Sequence, residues 1–409
     1  MKTFKKIIKI ILVAPLVILL LFVIGLSIKF SPTYVYRLAK MNVPDAYDYK
    51  NFHNRTIAPS NDTFEFHRAI DSQYVERLFE DKVEHLQLKN LREWADTSQT
   101  TALIVIRKDT ILYEEYFNGF TKESYFHSQS MAKSFISFLI GAAIDDGLIK
   151  GVNDPMTDYI PELIDRDPRF GKITIENLLE MRSGLKYVKE YIPGTYIHAP
   201  WHDEAVGYYH EDVRSLLLNK MEIARDPGDQ FEYNNYNTSF LGLIIERATG
   251  MTVSKYLEEK LWSKIMKNDA LFSVDSEENG FEYMPSRLIA RAMDYAHFGR
   301  LFLHNGNWNG EEILSSNFAK ESITEDTTIS KEIYPDWFGK DCRHVYYKYQ
   351  WWGHANCDGT YQFAASGNLG QNIYIIPDEE IIIVHCGNSL EYYSDFDLWN
   401  VADKIRSKE

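Results

Sequence analysis

The sequence predicts an α/β protein of the α+β type, with one antiparallel sheet built from both ends of a domain and helices around it. Two pairs of strands support this prediction. Thr101–Arg107 and Ile111–Phe117 are short apolar runs on either side of a turn at Lys108-Asp109, which is typical of a hairpin. Asn372–Ile376 and Glu380–Cys386 form a second pair near the C-terminus. Strands at both ends with helical periodicity between them indicate a flanked sheet and a second, mostly helical lobe.

The stretch between the strand pairs contains five segments in which apolar residues recur at helical spacing. These segments are Ser130–Asp145, Thr174–Met181, Thr238–Thr249, Thr252–Met266 and Ser286–His304. Ser130–Asp145 is apolar on most faces and is followed by Gly147, so it is predicted to be a buried helix with a glycine C-cap.

Length and charge narrow the class of protein. The chain has 409 residues, 45% of them hydrophobic, which is enough for one large or two modest units with a buried core. The first 29 residues hold five lysines and no acidic residue, and the remainder holds 39 basic and 59 acidic residues. A body with a net charge of −20 repels nucleic acid, so no nucleic-acid partner is expected. The oligomeric state stays open.

The cysteines exclude a disulfide-rich scaffold, because only Cys342, Cys357 and Cys386 occur. Cys342 and Cys357 could pair in an oxidising compartment or stay as unpaired thiols, and their spacing does not decide between the two. The sequence contains no C-x-x-C or H-E-x-x-H spacing, so neither a metal site nor another cofactor is expected.

The N-terminus is predicted to direct the rest of the chain out of the cytoplasm. Ile10–Ile28 is a run of 19 uncharged residues that follows a lysine-rich flank, long enough to cross a bilayer with that flank inside. A cleaved signal peptide is the alternative, with Gly25-Leu26-Ser27 as a candidate site. Residues 1–29 are therefore interpreted as a membrane anchor or signal peptide. Residues 30–75 are interpreted as a juxtamembrane linker and extended lead-in, and 76–409 as the main domain.

The motif Ser130-Met131-Ala132-Lys133 is the strongest chemical signal. Residues three apart share one face of a helix, so the serine hydroxyl and the lysine amine can meet. The positive end of the helix dipole favours the neutral amine, and a neutral lysine can take the proton of a serine nucleophile. On its own, the pattern also fits a serine N-cap with an exposed lysine.

Two further elements support a reactive serine. Tyr233-Asn234-Asn235 forms a Y-x-N motif just before a predicted helix, where Tyr233 could relay a proton and Asn235 could bind a substrate carbonyl. Gly367 and Asn368 lie in a turn that leads into a strand. The backbone N–H groups of Asn368 and Ser130 could together form an oxyanion hole.

In this order, the three elements resemble those of the penicillin-recognising serine enzymes, some of which carry S-x-x-K, S-D-N and K-T-G. The Y-x-N motif resembles the class C branch, which includes class C β-lactamases, D-alanyl-D-alanine carboxypeptidases, family VIII esterases and 6-aminohexanoate-dimer hydrolases. The resemblance extends over about residues 98–403 and implies a β-lactamase/transpeptidase-like fold. Its other matching stretches are 173–185 (T-I-x-x-L-L-x-M-x-S-G-L), 294–301 (D-x-A-x-F-G-x-L), 349–352 and 370–377.

The resemblance also implies roles for single residues. Ser130 is the expected nucleophile, Lys133 its base, Tyr233 the partner acid or base and Asn235 a helper. The family's oxyanion hole maps to the N–H groups of Ser130 and Asn368, with Gly367 beside them. A substrate-contacting tyrosine of the dimer hydrolases matches Tyr191, with Tyr187 as a rival.

One departure from the family pattern concerns the substrate. The third element begins with lysine or histidine in β-lactamases and carboxypeptidases, and here Ala365 occupies that position. The missing cation argues against β-lactams and D-Ala-D-Ala peptides, which carry a carboxylate. The expected function is hydrolysis of a small neutral ester or amide through an acyl-enzyme. A β-lactamase or carboxypeptidase and a non-catalytic penicillin-binding-like sensor are the alternatives.

Five further residues, all histidines or tryptophans, are considered for a place in the site. His127 is expected in the core or behind the site, whereas His354 is a candidate for the pocket mouth. Trp201, Trp351 and Trp352 are expected in the core rather than as a platform for substrate.

Overall fold

The computed structural model describes residues 2–41, 45–61, 64–195, 197–333, 342–389 and 394–407. Its strands, in chain order, are β1 (His53–Ile57), β2 (His67–Arg68), β3 (Thr100–Arg107), β4 (Thr110–Tyr116), β5 (Phe126–His127), β6 (Ala270–Val274), β7 (Leu288–Ala290), β8 (Asn307–Trp308), β9 (Glu311–Glu312), β10 (His344–Lys348), β11 (Trp351–Ala355), β12 (Tyr361–Gly367), β13 (Gln371–Ile376) and β14 (Ile381–Gly387). The main sheet has the order β10-β11-β12-β13-β14-β3-β4-β2. Both predicted hairpins are present in it.

The centre of the main sheet joins the two ends of the domain. Strand β14 pairs antiparallel with β3, so that Ile382 lies opposite Ile106 and Val384 opposite Ile104. Only the short β2 runs parallel to its neighbour, β4, among the strands of this sheet that the structure describes. The prediction of one sheet assembled from both ends is therefore confirmed.

The helices of the described residues complete the architecture. They are α1 (Lys2–Lys29), α2 (Pro32–Met41), α3 (Ser72–His85), α4 (Leu91–Thr97), α5 (Ala132–Asp145), α6 (Glu162–Arg166), α7 (Ile175–Leu179), α8 (Asp203–Tyr209), α9 (Val213–Lys220), α10 (Asn235–Thr249), α11 (Val253–Leu257), α12 (Ser263–Ile265), α13 (Ala292–Leu303), α14 (Ser316–Ile323) and α15 (Ser394–Arg406).

Helices cover both faces of the main sheet because its central strands are apolar on both sides. In β3, Leu103 and Val105 belong to a core shared with helices α3, α4 and α15. The alternate residues Ile104 and Ile106 belong to the larger core that also holds α5, α10 and α13. Helix α13 lies directly on the sheet, since a Cβ at Gly299 would stand 2.8 Å from Ile373 Cγ2.

A second, smaller sheet corrects two predictions. It has the order β1-β6-β7-β5, and β7 occupies part of Ser286–His304, which was predicted to be helical throughout. The prediction was wrong there because Leu288–Ala290 pairs with strands from distant parts of the chain, and these pairings override local periodicity. Strand β1 comes from the predicted linker, which also contains helix α2 with Tyr34 and Leu38 buried. The segment 30–75 is therefore not simply an extended lead-in.

Among the residues that the structure describes, no single helix meets the length and composition expected of a membrane span. Within the described part of the chain, only a bent pair meets them: Val13–Lys29 together with Pro32–Met41, at an angle of 118°. The apolar side chains of α1 from Leu16 to Ile24 are largely exposed. The structure thus gives no support to the predicted membrane-spanning helix, and export of the body stays a prediction.

The cysteine alternatives are resolved by the tertiary structure. Cys342 and Cys357 form a disulfide across a sequence separation of 15 residues, and their Cα atoms lie 4.7 Å apart. Strands β10 and β11 lie between the two cysteines and pair with each other, which brings the two ends of the segment together. Cys386 is a buried, free thiol in β14.

Candidate active site

Ser130 lies at a tight turn just before the buried helix α5. The turn, Gln129–Met131, is a single stretch of 3₁₀-helix, and Gln129 has a φ of 46°, a region that few residues other than glycine adopt. Two hydrogen bonds hold the preceding residue, because Ser128 N donates to Leu288 O and Ser128 Oγ to Ser286 O. The turn leaves Ser130 partly exposed at the end of an otherwise buried helix.

Lys133 points back along α5 to Ser130. Its Nζ lies 2.9 Å from Ser130 Oγ and 2.9 Å from the carbonyl oxygen of Pro285. The side chain is buried, and this burial lowers the pKa of Lys133 to about 7, against the opposing effect of the negative Glu204. A substantial fraction of Lys133 is therefore neutral near pH 7 and able to accept a proton.

Tyr233 lies beside this pair, as the sequence predicted. Its ring centroid is 4.9 Å from Lys133 Nζ. The ring stacks on Trp352 at 5.7 Å with an interplanar angle of 22°, and Tyr347 meets it edge-on at 6.0 Å. Trp352 and Tyr233 both pack, partly buried, against a small hydrophobic cluster, and these two contacts fix the plane in which the Tyr233 hydroxyl lies.

Asn235 is the first residue of α10 and is buried. The preceding Asn234 caps the helix, because its side chain accepts a hydrogen bond from Tyr236 N, as asparagine commonly does at this position. Asn235 also lies close to the buried Tyr283, whose pKa is raised above the ordinary value by burial. The Y-x-N motif is thus positioned by the start of a helix that packs in the same core as α5.

Gly367 brings the end of β12 against the serine turn. A Cβ at this position would stand 2.8 Å from Ser130 N and 2.7 Å from Ser128 O. Asn368 follows as an exposed residue, and Leu369 then turns the chain with a φ of 64°. The structure therefore places the third predicted element next to Ser130.

Tyr191 lies further out, on a hairpin between α7 and α8. It is 48% exposed, and its ring packs against His198 and His202 at centroid distances of 5.4 and 5.0 Å. The rival Tyr187 packs against Tyr236 at 5.6 Å, and burial raises its pKa well above the ordinary value. Both tyrosines lie on the segment that carries Glu204, whose charge reaches Lys133.

The remaining flagged side chains lie elsewhere. His127 is buried, with Nδ1 2.8 Å from Gln129 Nε2, and burial lowers its pKa to about 3. His354 is buried against Trp399, with Nδ1 3.0 Å from the Tyr374 hydroxyl, so its predicted place at a pocket mouth is wrong. Trp351 lies in the core as predicted, whereas Trp201 is 40% exposed and not in the core.

Sequence reasoning missed three contributors. The Pro285 carbonyl holds Lys133, and a main-chain oxygen leaves no sequence signal. Glu204 was missed because it is distant from every motif. Gln350 lay in a matching stretch but received no role. Its side chain accepts a hydrogen bond from Thr238 Oγ1 of α10 and donates hydrogen bonds to the backbone carbonyl oxygens of Leu178 and Leu179. Its backbone carbonyl accepts a hydrogen bond from Ser134 Oγ of α5.

Comparisons with known proteins agree with this geometry. The family model described as Beta-lactamase matches residues 75–405. The 6-aminohexanoate-dimer hydrolase of Paenarthrobacter ureafaciens is 27% identical over 305 residues, which cover 73% of this chain and 75% of that protein.

Two solved structures show the likeness in fold. One, from Bacillus anthracis and provisionally named a 6-aminohexanoate-dimer hydrolase, is 24% identical with a TM-score of 0.69, over 88% of this chain and 92% of the other. A class C β-lactamase in complex with cefoxitin is 15% identical with a TM-score of 0.55, over 83% of this chain and all of the other. The fold is therefore the β-lactamase/transpeptidase-like fold expected from the sequence.

Proposed function

Since the chain belongs to the beta-lactamase family, we propose that it is a serine hydrolase that cleaves a small ester or amide through an acyl-enzyme on Ser130. The observation that carries the proposal is the pair of Ser130 and Lys133. A serine hydroxyl at a helix start lies 2.9 Å from a buried lysine amine whose pKa is lowered to about 7. Buried lysines of this kind serve as bases for nucleophiles in proteins.

Acylation begins when the neutral amine of Lys133 accepts the Ser130 hydroxyl proton. The freed oxygen attacks the substrate carbonyl carbon and forms a tetrahedral intermediate with a negative oxygen. The backbone N–H groups of Ser130 and Asn368 stabilise this oxygen, which is the usual role of such donors. Collapse of the intermediate breaks the bond to the alcohol or amine, which leaves with a proton relayed through Tyr233.

Deacylation repeats the same chemical steps, with water as the nucleophile in place of Ser130. Water loses a proton to the Lys133–Tyr233 pair and attacks the ester carbon of the acyl-enzyme. The Ser130–carbon bond then breaks, Ser130 regains its proton, and the acid is released. No cofactor takes part in any of these steps.

The substrate proposed is a neutral ester or amide. Ala365, at the place of the family's lysine or histidine, is buried in β12 and can contribute no charge to a substrate carboxylate. The charge that reaches Lys133 is the negative Glu204, which disfavours an anionic substrate. Both features count against a β-lactam or a D-Ala-D-Ala peptide.

Hydrolysis of p-nitrophenyl butyrate tests the proposal. Wild type is expected to turn the ester over, and Ser130→Ala to lose activity by roughly 10⁴-fold or more with an unchanged circular dichroism spectrum. Equal rates in both would overturn it. A fluorophosphonate probe separates the alternatives: stoichiometric labelling without turnover would support a sensor, and release of D-Ala from a pentapeptide would support a carboxypeptidase.

We also propose that the domain is exported and held at a membrane by its N-terminal helix. The lysine-rich, apolar N-terminus supports this proposal, as does the disulfide between Cys342 and Cys357, because disulfides persist mainly in oxidising compartments. A fusion of alkaline phosphatase after residue 409 tests it, since the fused enzyme is active only outside the cytoplasm. An inactive but intact fusion would contradict export.

A further inference from the structure

The hairpin that carries Tyr191 also gathers two histidines and a glutamate. His198, His202 and Glu204 each offer one ligand atom, and these atoms all lie within 4.8 Å of one another. The hairpin is held by hydrogen bonds from Ile192 N to Ile197 O and from Ala199 N to Glu190 O. The His198 Nε2 atom lies 3.9 Å from Glu204 Oε2, with the two histidine rings stacked at 4.1 Å.

His202 supplies a second observation that points to a ligand. Its side chain is only 1% exposed, and Nε2 is buried with no hydrogen-bond partner among the described residues. A buried polar atom without a partner is costly, and native proteins rarely leave one.

We propose that His198, His202 and Glu204 form a binding site for a divalent transition metal ion such as Zn²⁺. Two imidazoles and one carboxylate are a ligand set that Zn²⁺ takes in proteins, usually with water at the fourth position. Ligand atoms on one zinc ion lie roughly 3.4 Å apart. The side chains of His198 and Glu204 are partly exposed, so rotation about their own bonds can bring their ligand atoms to this shorter spacing.

Binding at His202 Nε2 requires a change of tautomer. In this structure Nδ1 accepts a hydrogen bond from Glu204 N at the start of α8, so the imidazole proton is on Nε2. When Nε2 binds the metal, the proton moves to Nδ1 and this cap is lost. The loss of one helix cap is small beside the free energy of zinc binding to three protein ligands.

The site is linked electrostatically to the proposed catalytic pair. Tyr191 packs on both histidines, and the field of Glu204 reaches Lys133. A bound metal fixes the hairpin that carries Tyr191 and offsets the charge of Glu204. Its binding does not depend on Ser130 chemistry, so the metal site and the proposed hydrolase activity can fail separately.

Direct metal binding to the untagged, full-length protein tests the site. After incubation with Zn²⁺ and dialysis, elemental analysis is expected to find about one equivalent per chain. Co²⁺ in its place should give the visible absorption of a tetrahedral ion, and Zn²⁺ should displace it. His198→Ala and Glu204→Gln are each expected to weaken binding by roughly ten-fold or more.

The controls keep the test independent of folding and of activity. His85→Ala removes an exposed histidine on α3 and should bind metal as wild type does. His202→Ala empties a buried position and is used only if its circular dichroism spectrum is unchanged. No retained zinc in wild type, or equal retention by wild type, His198→Ala and Glu204→Gln, would overturn the proposal.

Discussion

Gly367 lies with its backbone directly against the backbone N–H of Ser130. A Cβ at Gly367 would stand 2.8 Å from Ser130 N, which is shorter than such atoms approach in proteins. The backbone at the end of β12 is therefore in direct contact with the backbone of the serine turn. This contact places the two N–H groups proposed for the oxyanion hole, those of Ser130 and Asn368, on neighbouring segments.

Gly367→Ala is expected to impair catalysis more than folding. The added methyl group pushes β12 away from the serine turn, and a misplacement of about 1 Å can cost roughly 10²-fold in rate. The measurement is kcat for p-nitrophenyl butyrate together with the thermal unfolding midpoint. Gly151→Ala is the matched control, because a Cβ there meets nothing within 4 Å. Wild-type kcat in Gly367→Ala would contradict the close contact.

Replacement of Lys133 tests whether this residue acts as a base or only supplies a positive charge. Lys133→Met keeps the length of the side chain and removes the amine, whereas Lys133→Arg keeps a charge that is not lost at working pH. Both variants are expected to lose activity by roughly 10²–10⁴-fold, because neither can take the Ser130 proton. An active Lys133→Arg enzyme would show that charge alone is sufficient.

The pH profile should follow the titration of Lys133. Burial lowers the pKa of this amine to about 7; below that pH it is protonated and cannot accept the serine proton, and above it the amine is neutral. We expect log kcat/KM to rise with a slope of about one and level off above pH 7. A profile flat from pH 5 to pH 9 would contradict this assignment.

Glu204→Gln provides the matched control for that profile. The negative charge of Glu204 raises the pKa of Lys133 against the effect of burial. Its removal should therefore move the midpoint to lower pH, with EDTA present to exclude any metal effect. An unchanged midpoint would show that Glu204 does not act on the base.

Tyr233→Phe tests the proton relay while preserving the aromatic stack. The phenylalanine ring can still pack on Trp352, so folding should change little. We expect kcat to fall by roughly 10²–10⁴-fold for an alkyl ester, whose leaving group needs a proton. The fall should be smaller for a p-nitrophenyl ester, since p-nitrophenolate leaves without one. Tyr347→Phe, which alters a neighbouring ring of the same cluster, should keep kcat close to wild type.

Removal of the disulfide should lower stability and leave the chemistry intact. The bond closes a loop with a separation of 15 residues, and loss of such a cross-link costs about 3 kcal/mol of unfolding free energy. Cys342→Ser/Cys357→Ser should unfold at lower urea concentration than oxidised wild type and show no response to dithiothreitol. The same reductant response in wild type and variant would contradict the pairing.

Much of the site was predictable because its signals are local. The spacing of Ser130 and Lys133 places them on one helical face whatever surrounds the helix, and the Y-x-N motif was predicted from its place at the start of a helix. The short apolar runs of β3 and β14, each next to a turn, likewise predicted strands. These inferences hold because backbone geometry alone relates the residues concerned.

Other features could not be predicted because they depend on distant segments. The Leu288–Ala290 stretch continues a helical pattern in sequence, yet it forms a strand because β5 and β6 lie on either side of it. The Pro285 carbonyl and Glu204 influence Lys133 from positions about 70 to 150 residues away along the chain. His198, His202 and Glu204 match no metal motif, and only the hairpin fold brings them together.

The sequence by itself determined the reactive pair, because three residues of helix bring Ser130 and Lys133 together and the apolar run after them buries the amine. It also determined the strands at both ends of the domain, through short apolar runs that flank turns. The tertiary structure alone decided how closely Gly367 approaches Ser130, which carbonyl holds Lys133 and that Cys342 meets Cys357. Those relationships depend on packing between segments far apart in the chain, and packing distances are set by the whole core rather than by local pattern.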